Sequence, residues 1–345
     1  MNTDIITRNG HDMTTRDLAD IGKAANQVAG QHVFENYRDR KAANTLRRHD
    51  ADLTLFAKYL AEVGVEVGDL AHDPDAWHGV TWGLVAGFVQ WQLRQGYAVA
   101  SVNARLSAVK VYSRLALKAG TIDNNDYAAI RAVEGYSRTE AKRVNEAREA
   151  ADLATRVSSK KAEAVELTEH QVQALKAQPS DTGQGRRDGL IMCLLLDHGL
   201  RVGELAGLTV TNFDLEAGEL TFYRPKVDRI QTHRLTDDTL AAAKLYFEHD
   251  ALAAGLLLRG SRKDGRLHGA GVTGRSLTIR VGTLGRRLGI DDLSAHDCRH
   301  TWATLAARHG TPVDRLMDAG GWSSTAMPMN YIGAAEIANE GVRLG

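Results

Sequence analysis

The sequence predicts a mainly α-helical chain of two domains, the second an α+β domain with a small antiparallel β-sheet. Three observations carry this expectation. The 345 residues exceed one typical core at about 150 residues per domain, and a composition of 43% apolar and 25% charged residues can bury two. Through most of the chain, apolar residues recur at spacings of three, four and seven, the period of an amphipathic helix. One stretch, GELTFYRPKVDRIQTHRLT, instead reads as two short strands around the turn residues Pro225 to Asp228.

In chain order, residues 1–30 are polar and weakly periodic and read as a flexible N-terminal tail. Residues 31–137 read as a helical domain. In TLRRHDADLTLFAKYLAEVG, Leu46, Leu53, Phe56 and Leu60 mark one apolar face, leaving Arg47 and Arg48 outside it. WGLVAGFVQWQLRQG is a second helix, ended by Gly96. SVNARLSAVKVYSRLALKAG is a third, with Ser101 as a cap and Gly120 as a stop. Its Val102, Leu106, Val109 and Leu117 face inward, while Lys110, Arg114 and Lys118 sit four apart on another face. Residues 138–165 nearly lack large apolar side chains and read as a charged interdomain linker, solvated or helical. Residues 166–345 form the second domain. It opens on the capping-box pattern Thr168 to Gln171, continues into a buried helix interrupted by Gly199, passes the two strands, and stays helical to the C terminus.

Composition also excludes classes of function. The longest apolar run, Leu190 to Leu196, is far below the roughly 20 residues of a membrane span. The first residues lack the apolar stretch of a signal peptide, and two cysteines cannot make a disulfide framework. A cytoplasmic protein with no membrane partner is expected. The 43 basic and 43 acidic residues balance formally, but they are unevenly distributed. Residues 76–122 and 265–290 contain no acid at all. The first window carries Arg105, Lys110, Arg114 and Lys118, and the second Arg275, Arg280, Arg286 and Arg287. With Arg47 and Arg48 these form a candidate nucleic-acid surface, against the ordinary alternative of a solvated basic face.

Two patterns are set aside. Gly269 to Gly274 fits GxGxxG, but no buried strand precedes it, so no dinucleotide cofactor is expected. His296 and His300 stand four apart as in zinc helices, yet the Glu of HExxH is missing and Arg299 between them would repel a cation, so no metal is expected either.

A stronger constellation runs through the second domain: Arg201 and Glu204 in HGLRVGEL, Lys226 in the hairpin, His296 and Arg299 in HDCRHTWATLAARHG, Trp322 in AGGWSS, and Tyr331 in MNYIG. Taken singly, each has a plain structural reading, such as a helical i,i+3 pair or core filler. In order and spacing they resemble the tyrosine recombinase (phage integrase) family, particularly its Cre-like members. The GLRVGELAGL stretch looks like the family's first arginine box, HDCRH like its HxxRH box, and AGGWSSTAMPMNYI like the box that ends in the nucleophile. The resemblance implies a two-domain clamp on double-stranded DNA target sites, inverted repeats around a spacer. It also implies a nucleoid-associated homotetramer joined through the C-terminal tail.

The chemistry of these residue types agrees. Charge grows on a phosphodiester in its pentacoordinate transition state, so fixed donors are the main catalytic need. Arg201 and Arg299 suit that need because guanidinium is always charged and forks onto two oxygens. His296 and Trp322 add N–H donors, Glu204 orients Arg201, and Lys226 can protonate the departing 5′ oxygen. Tyr331 is the only hydroxyl of the set and hence the nucleophile, with His296 the best proton acceptor. A 3′-phosphotyrosyl bond conserves the energy of the cleaved linkage, so strands can be exchanged through a Holliday junction without ATP. The expected function is site-specific recombination. A type IB topoisomerase-like relaxing enzyme and a catalytically silent DNA-binding protein are the alternatives.

Overall fold

The structure is a computed structural model and describes residues 15–153, 164–269 and 271–333. The chain divides into two compact units, Met1–Lys161 and Ala162–Gly345.

Among its described residues the regular elements of the first unit are helices: α1 (Thr15–Gln31), α2 (Val33–Asp39), α3 (Ala43–Glu62), α4 (Trp82–Arg94), α5 (Val99–Ala119), α6 (Asn124–Ala132) and α7 (Arg138–Ala150). The α3 stripe of Leu53, Phe56 and Leu60 is buried. It meets Val85 and Phe88 of α4 and Val102, Val109 and Tyr112 of α5. Trp77 fills the centre and donates its indole N–H to the Leu70 carbonyl at 2.9 Å, so its one polar atom is satisfied in an apolar surrounding. Gly120 stops α5 in the left-handed region, φ 83°, as a C-terminal glycine does. The start differs from expectation: α5 begins at Val99, ahead of Ser101, with Ala98 as its N-cap.

One further segment differs from the sequence reading, and another takes the helical form that the reading allowed. Residues 15–30, expected in a loose tail, are helical in α1. Arg138–Ala150, within the expected linker, forms α7, opened by a capping box between Ser137 and Glu140. Its buried Arg148 donates to the carbonyls of Leu93 and Tyr97 at 2.8 and 3.1 Å. These lie at and beyond the C-terminal end of α4, where a cation satisfies orphan carbonyls and meets the negative end of the helix dipole.

The second unit is built around α9 (Gly183–Leu196), buried at every position from Arg187 to Leu196. Helices α8 (Glu169–Lys176), α11 (Asp237–His249) and α13 (Ala295–Arg308) pack on it. The expected Thr168–Gln171 capping box starts α8. After α9, Gly199 turns the chain at φ 58° into the short α10 (Val202–Ala206). The hairpin is present as β2 (Glu219–Arg224) and β3 (Arg229–Arg234), antiparallel with Phe222 opposite Gln231, and β1 (Phe213–Asp214) adds a third strand on the β2 edge. The region after the hairpin is not wholly helical, because β4 (Gly260–Ser261) pairs with β5 (Leu267–His268) before α12 (Gly274–Arg287). Helices α14 (Val313–Gly320) and α15 (Ala326–Gly333) follow α13. Among the described residues, no helix is long and apolar enough to cross a membrane.

Candidate active site: arginines on a helix end beside Tyr331

Helix α14 ends at Gly320, and Gly321 closes it in the left-handed region, φ 58°. Carbonyls in the last turn of a helix lack intrahelical partners and carry the negative end of its dipole. Here four consecutive carbonyls each receive a side-chain donor. Gln231 Nε2 donates to Asp318 O at 2.6 Å, and Arg224 Nη2 to Ala319 O at 2.7 Å. Arg299 Nη2 donates to Gly320 O at 2.5 Å, and Arg201 Nη2 to Gly321 O at 3.1 Å. Three guanidinium groups from three different elements therefore converge on one helix end.

A single buried carboxylate joins two of them. Glu204, at the third position of α10, accepts from the Arg201 backbone N–H at 2.9 Å and from Arg201 Nη1 at 2.7 Å. It also accepts from Arg224 Nη1 at 2.9 Å. The i,i+3 spacing of the GLRVGEL stretch makes the first contacts local, with Arg201 at the N-cap and Glu204 one turn on. Arg299, in the first half of α13, also reaches back to Gly199 O. Its guanidinium lies over the Trp322 ring, 4.6 Å from the centroid. Burial, together with the charges of Arg201 and Arg224, pushes Arg299 down to about 10. Burial lowers Arg224 as well. The cluster is thus positively charged and crowded, the electrostatic state that an incoming anion relieves.

Tyr331 lies on α15 in a small apolar cluster with Ala303 and Leu316, and it is only 4% exposed. Its ring meets His300 edge-on at 4.9 Å and Trp322 at 5.5 Å. Burial raises the phenol above its usual range, whereas Arg299 and Arg201 pull it down.

The structure thus brings together Arg201, Glu204, Arg299, Trp322 and Tyr331. It does not bring His296 to Tyr331: that side chain is exposed on the first turn of α13, and His300, one turn on, packs against the phenol ring instead. Lys226 is exposed in the hairpin turn and makes no hydrogen bond among the described residues. Arg224, absent from the sequence set, is fully buried and central to the network. Its signal is the alternation of β2, which puts position 224 on the same face as Leu220 and Phe222. Trp302 is also absent from the sequence set. It lies between the Gly199 turn and Trp322, 6.0 Å from the latter ring.

The basic residues divide by what they hold. Arg105 stacks over Tyr97 at 4.3 Å and approaches Asp52 at 3.6 Å. Arg280 forks onto the buried Asp188, its Nε at 2.7 Å, tying α12 to α9. These two, expected on the binding face, are held by contacts within the fold and are only partly exposed. Lys110 is tethered to the Arg131 carbonyl at 2.9 Å, and Arg48 lies 3.5 Å from Asp52. Arg47, Arg114, Lys118, Arg275, Arg286 and Arg287 are exposed. Arg114 and Lys118 line an open depression with Arg40 and Tyr37, and none of its lining residues is acidic.

Fold and cluster define a mainly helical domain centred on three arginines, and comparison with known proteins relates it to a family. Residues 166–336 match the phage integrase family. The chain is 30% identical over 180 residues to tyrosine recombinase XerD of Neisseria meningitidis serogroup B, a match covering 51% of this chain and 60% of that protein. It is 24% identical over 297 residues to tyrosine recombinase XerC of Roseiflexus castenholzii, covering 84% of this chain and 83% of that one. In three dimensions it resembles the Tn1549 transposon integrase in complex with transposon right end DNA, TM-score 0.59 at 15% identity over 88% of this chain and 94% of that one. It also resembles a lambda integrase dimer bound to a COC′ core site, TM-score 0.57 at 16% identity over 90% and 95%. The structural likenesses concern the fold.

Proposed function

We propose that the chain is a site-specific DNA recombinase that cleaves and rejoins strands through a 3′-phosphotyrosyl intermediate on Tyr331. The observation that carries this reading is the pairing of Arg201 and Arg299 on adjacent carbonyls, Gly321 and Gly320, beside the buried Tyr331, within the region of the phage integrase family. Two fixed guanidinium groups so close together suit the two non-bridging oxygens of one phosphodiester, and their charge acts most strongly where the pentacoordinate transition state gathers its own. Trp322 holds Arg299 from one face, and Glu204 keeps the Arg201 fork oriented. His300, against the phenol ring, joins His296 as a candidate proton acceptor. Lys226, exposed two residues beyond Arg224, is free to reach a departing 5′ oxygen. A buried phenol cannot attack, so DNA binding must draw Tyr331 out of its cluster, toward the arginines that lower its pKa.

The partner in this reading is double-stranded DNA, with two duplexes held by four protomers in a closed head-to-tail ring. Residues 334–345, assigned to the contact between protomers, and 154–163, in the expected linker, lie outside the described residues.

Incubating the chain with a library of randomised duplexes, mapping the protected sequence, and rebuilding it with a nick that traps the cleaved strand tests the proposal. A covalent protein–DNA adduct is expected from the wild type and none from Tyr331→Phe, with both binding the duplex equally. An adduct in the Phe variant would remove Tyr331 as nucleophile. Relaxation of supercoils without any bridging of duplexes would favour a topoisomerase.

A further inference from the structure

The side chain that touches most of the site without being able to touch DNA is Arg224. It is 0% exposed, and each of its three nitrogens is already bonded: Nε to Gln231, Nη1 to Glu204 and Nη2 to the Ala319 carbonyl. Its guanidinium also lies 4.8 Å from the Phe222 ring centroid. With its whole surface covered, the guanidinium presents no N–H to a phosphate oxygen. Stability does not explain its presence either. The inward face of β2 otherwise carries Leu220 and Phe222, and an apolar residue of similar volume there would commonly be neutral or stabilising. Placing a third cation beside Arg201 and Arg299, with Glu204 bonded to Arg201 and Arg224 as the one carboxylate of the network, works against the folded state unless the arrangement has a use.

The geometry shows that use. Arg224 bonds the same carboxylate that orients Arg201, and it bonds the carbonyl that immediately precedes the acceptor of Arg299. Gln231 extends the brace, receiving Arg224 Nε and donating to Asp318 O at 2.6 Å. The helix end is moulded to this side chain: a Cβ on Gly321 would fall 2.6 Å from Arg224 Cδ. One residue thereby fixes the distance between the α10 start, which carries Arg201, and the α14 end, on which Arg299 rests.

We propose that Arg224 is a positioning residue for strand cleavage, one that sets the separation of the Arg201 and Arg299 guanidinium groups without contacting the phosphate. This rests on the recombinase reading above. It requires that the residue affect the chemical step rather than binding, and that it act through Glu204.

The test measures single-turnover adduct formation by the full chain at saturating mapped duplex. Wild type, Arg224→Lys, Glu204→Gln and the double variant are compared well below their melting temperatures. Lysine keeps the charge but loses the three-way fork. Arg224→Lys is expected to slow cleavage about 10- to 100-fold, the order of losing a fixed transition-state donor, with the duplex Kd within twofold of wild type. The double variant should be no slower than the worse single one, because both changes release the same Arg201 fork. If Arg224→Lys melts below the assay temperature, Gln231→Leu, which removes only the outer brace, replaces it and should slow cleavage at least fivefold at unchanged Kd. Cleavage within twofold of wild type, losses that multiply in the double variant, or binding that falls in step with cleavage would each overturn the proposal. A wild type that forms no adduct would overturn the recombinase reading with it, whereas an active wild type with an unaffected variant overturns this proposal alone.

Discussion

Arg299 and Trp322 form a stacked pair, the guanidinium 4.6 Å from the indole centroid, while the same guanidinium donates to the carbonyls of Gly199 and Gly320. The indole thus fixes the plane in which Arg299 can turn. Trp322→Ala should lower cleavage more than it lowers stability. A desolvated cation–π contact contributes about 2 kcal/mol, or roughly 30-fold in rate if all of it serves the transition state. Trp322→Phe keeps a ring and should lose less. Adduct-formation rates for the three proteins check this, and equal rates would remove the stack from the chemistry.

Arg114 and Lys118, exposed on the acid-free depression, should behave differently from Arg105, which is spent inside its unit. Changing Arg114 and Lys118 together to Ala should flatten the slope of log Kd against log salt by up to about two units, close to one per lost phosphate contact. Lys110, bonded to the Arg131 carbonyl, should add little to that change. Arg105→Ala should instead lower the melting temperature of the first unit, leaving Asp52 without one of its cations. Filter-binding titrations at several salt concentrations and thermal melts separate the two classes. A salt slope untouched by the double variant removes α5 from the DNA surface.

His198 and His233, with ring centroids 5.7 Å apart, give the fold an acid limit. Burial pushes them down to about 4 and about 3, below the value near 6.5 of an unfolded chain. The unfolded state then binds more protons than the folded one as pH drops, so stability is full above about pH 6.5 and declines as pH falls toward the folded values. Between pH 7 and pH 5 each should cost about 2 kcal/mol by linkage. Urea melts of the second unit at both pH values, with His198→Gln for comparison, measure it. A pH-independent midpoint would contradict the burial of the pair.

Gly199 occupies the left-handed region at φ 58°, and a Cβ there would sit 2.3 Å from Trp302 Cε3. Gly199→Ala combines backbone strain of about 1–2 kcal/mol with overpacking of about 1–3 kcal/mol. Because the Gly199 carbonyl also receives Arg299 Nη1, cleavage should fall beyond what the melting temperature explains. A variant that is destabilised yet cleaves normally at low temperature would separate this turn from the seat of Arg299.

The parts of this site that can be read in the sequence are those made by neighbours in the chain. Arg201 and Glu204 meet because i,i+3 residues at a helix start must, and the Thr168–Gln171 box opens α8 for the same local reason. Choosing between His296 and His300 needs the packing of α15 on α13, since one turn of helix leaves both near the same face. Arg224 is hidden differently: strand alternation assigns it inward, but its fitness there depends on Glu204, Gln231 and Ala319, which lie 20, 7 and 95 positions away. The two-residue strands β4 and β5 are too short to alternate. In α1, Leu18, Ile21 and Val28 do recur at three and seven but are exposed, so their periodicity reflects no packing within the unit.

Tyr331, Ala303 and Leu316 form a buried patch separate from the large core around α9. In a protein the cost of a local opening follows the surface that the opening exposes, and small isolated patches open far below the global unfolding free energy. Release of α15 is therefore a local event. Its backbone amides should exchange with deuterium by sub-global opening, while those of α9 exchange only when the whole unit unfolds. Under the proposed mechanism the nucleophile would be tethered weakly and its arginines firmly, so the arginine frame would persist while the reactive hydroxyl moved.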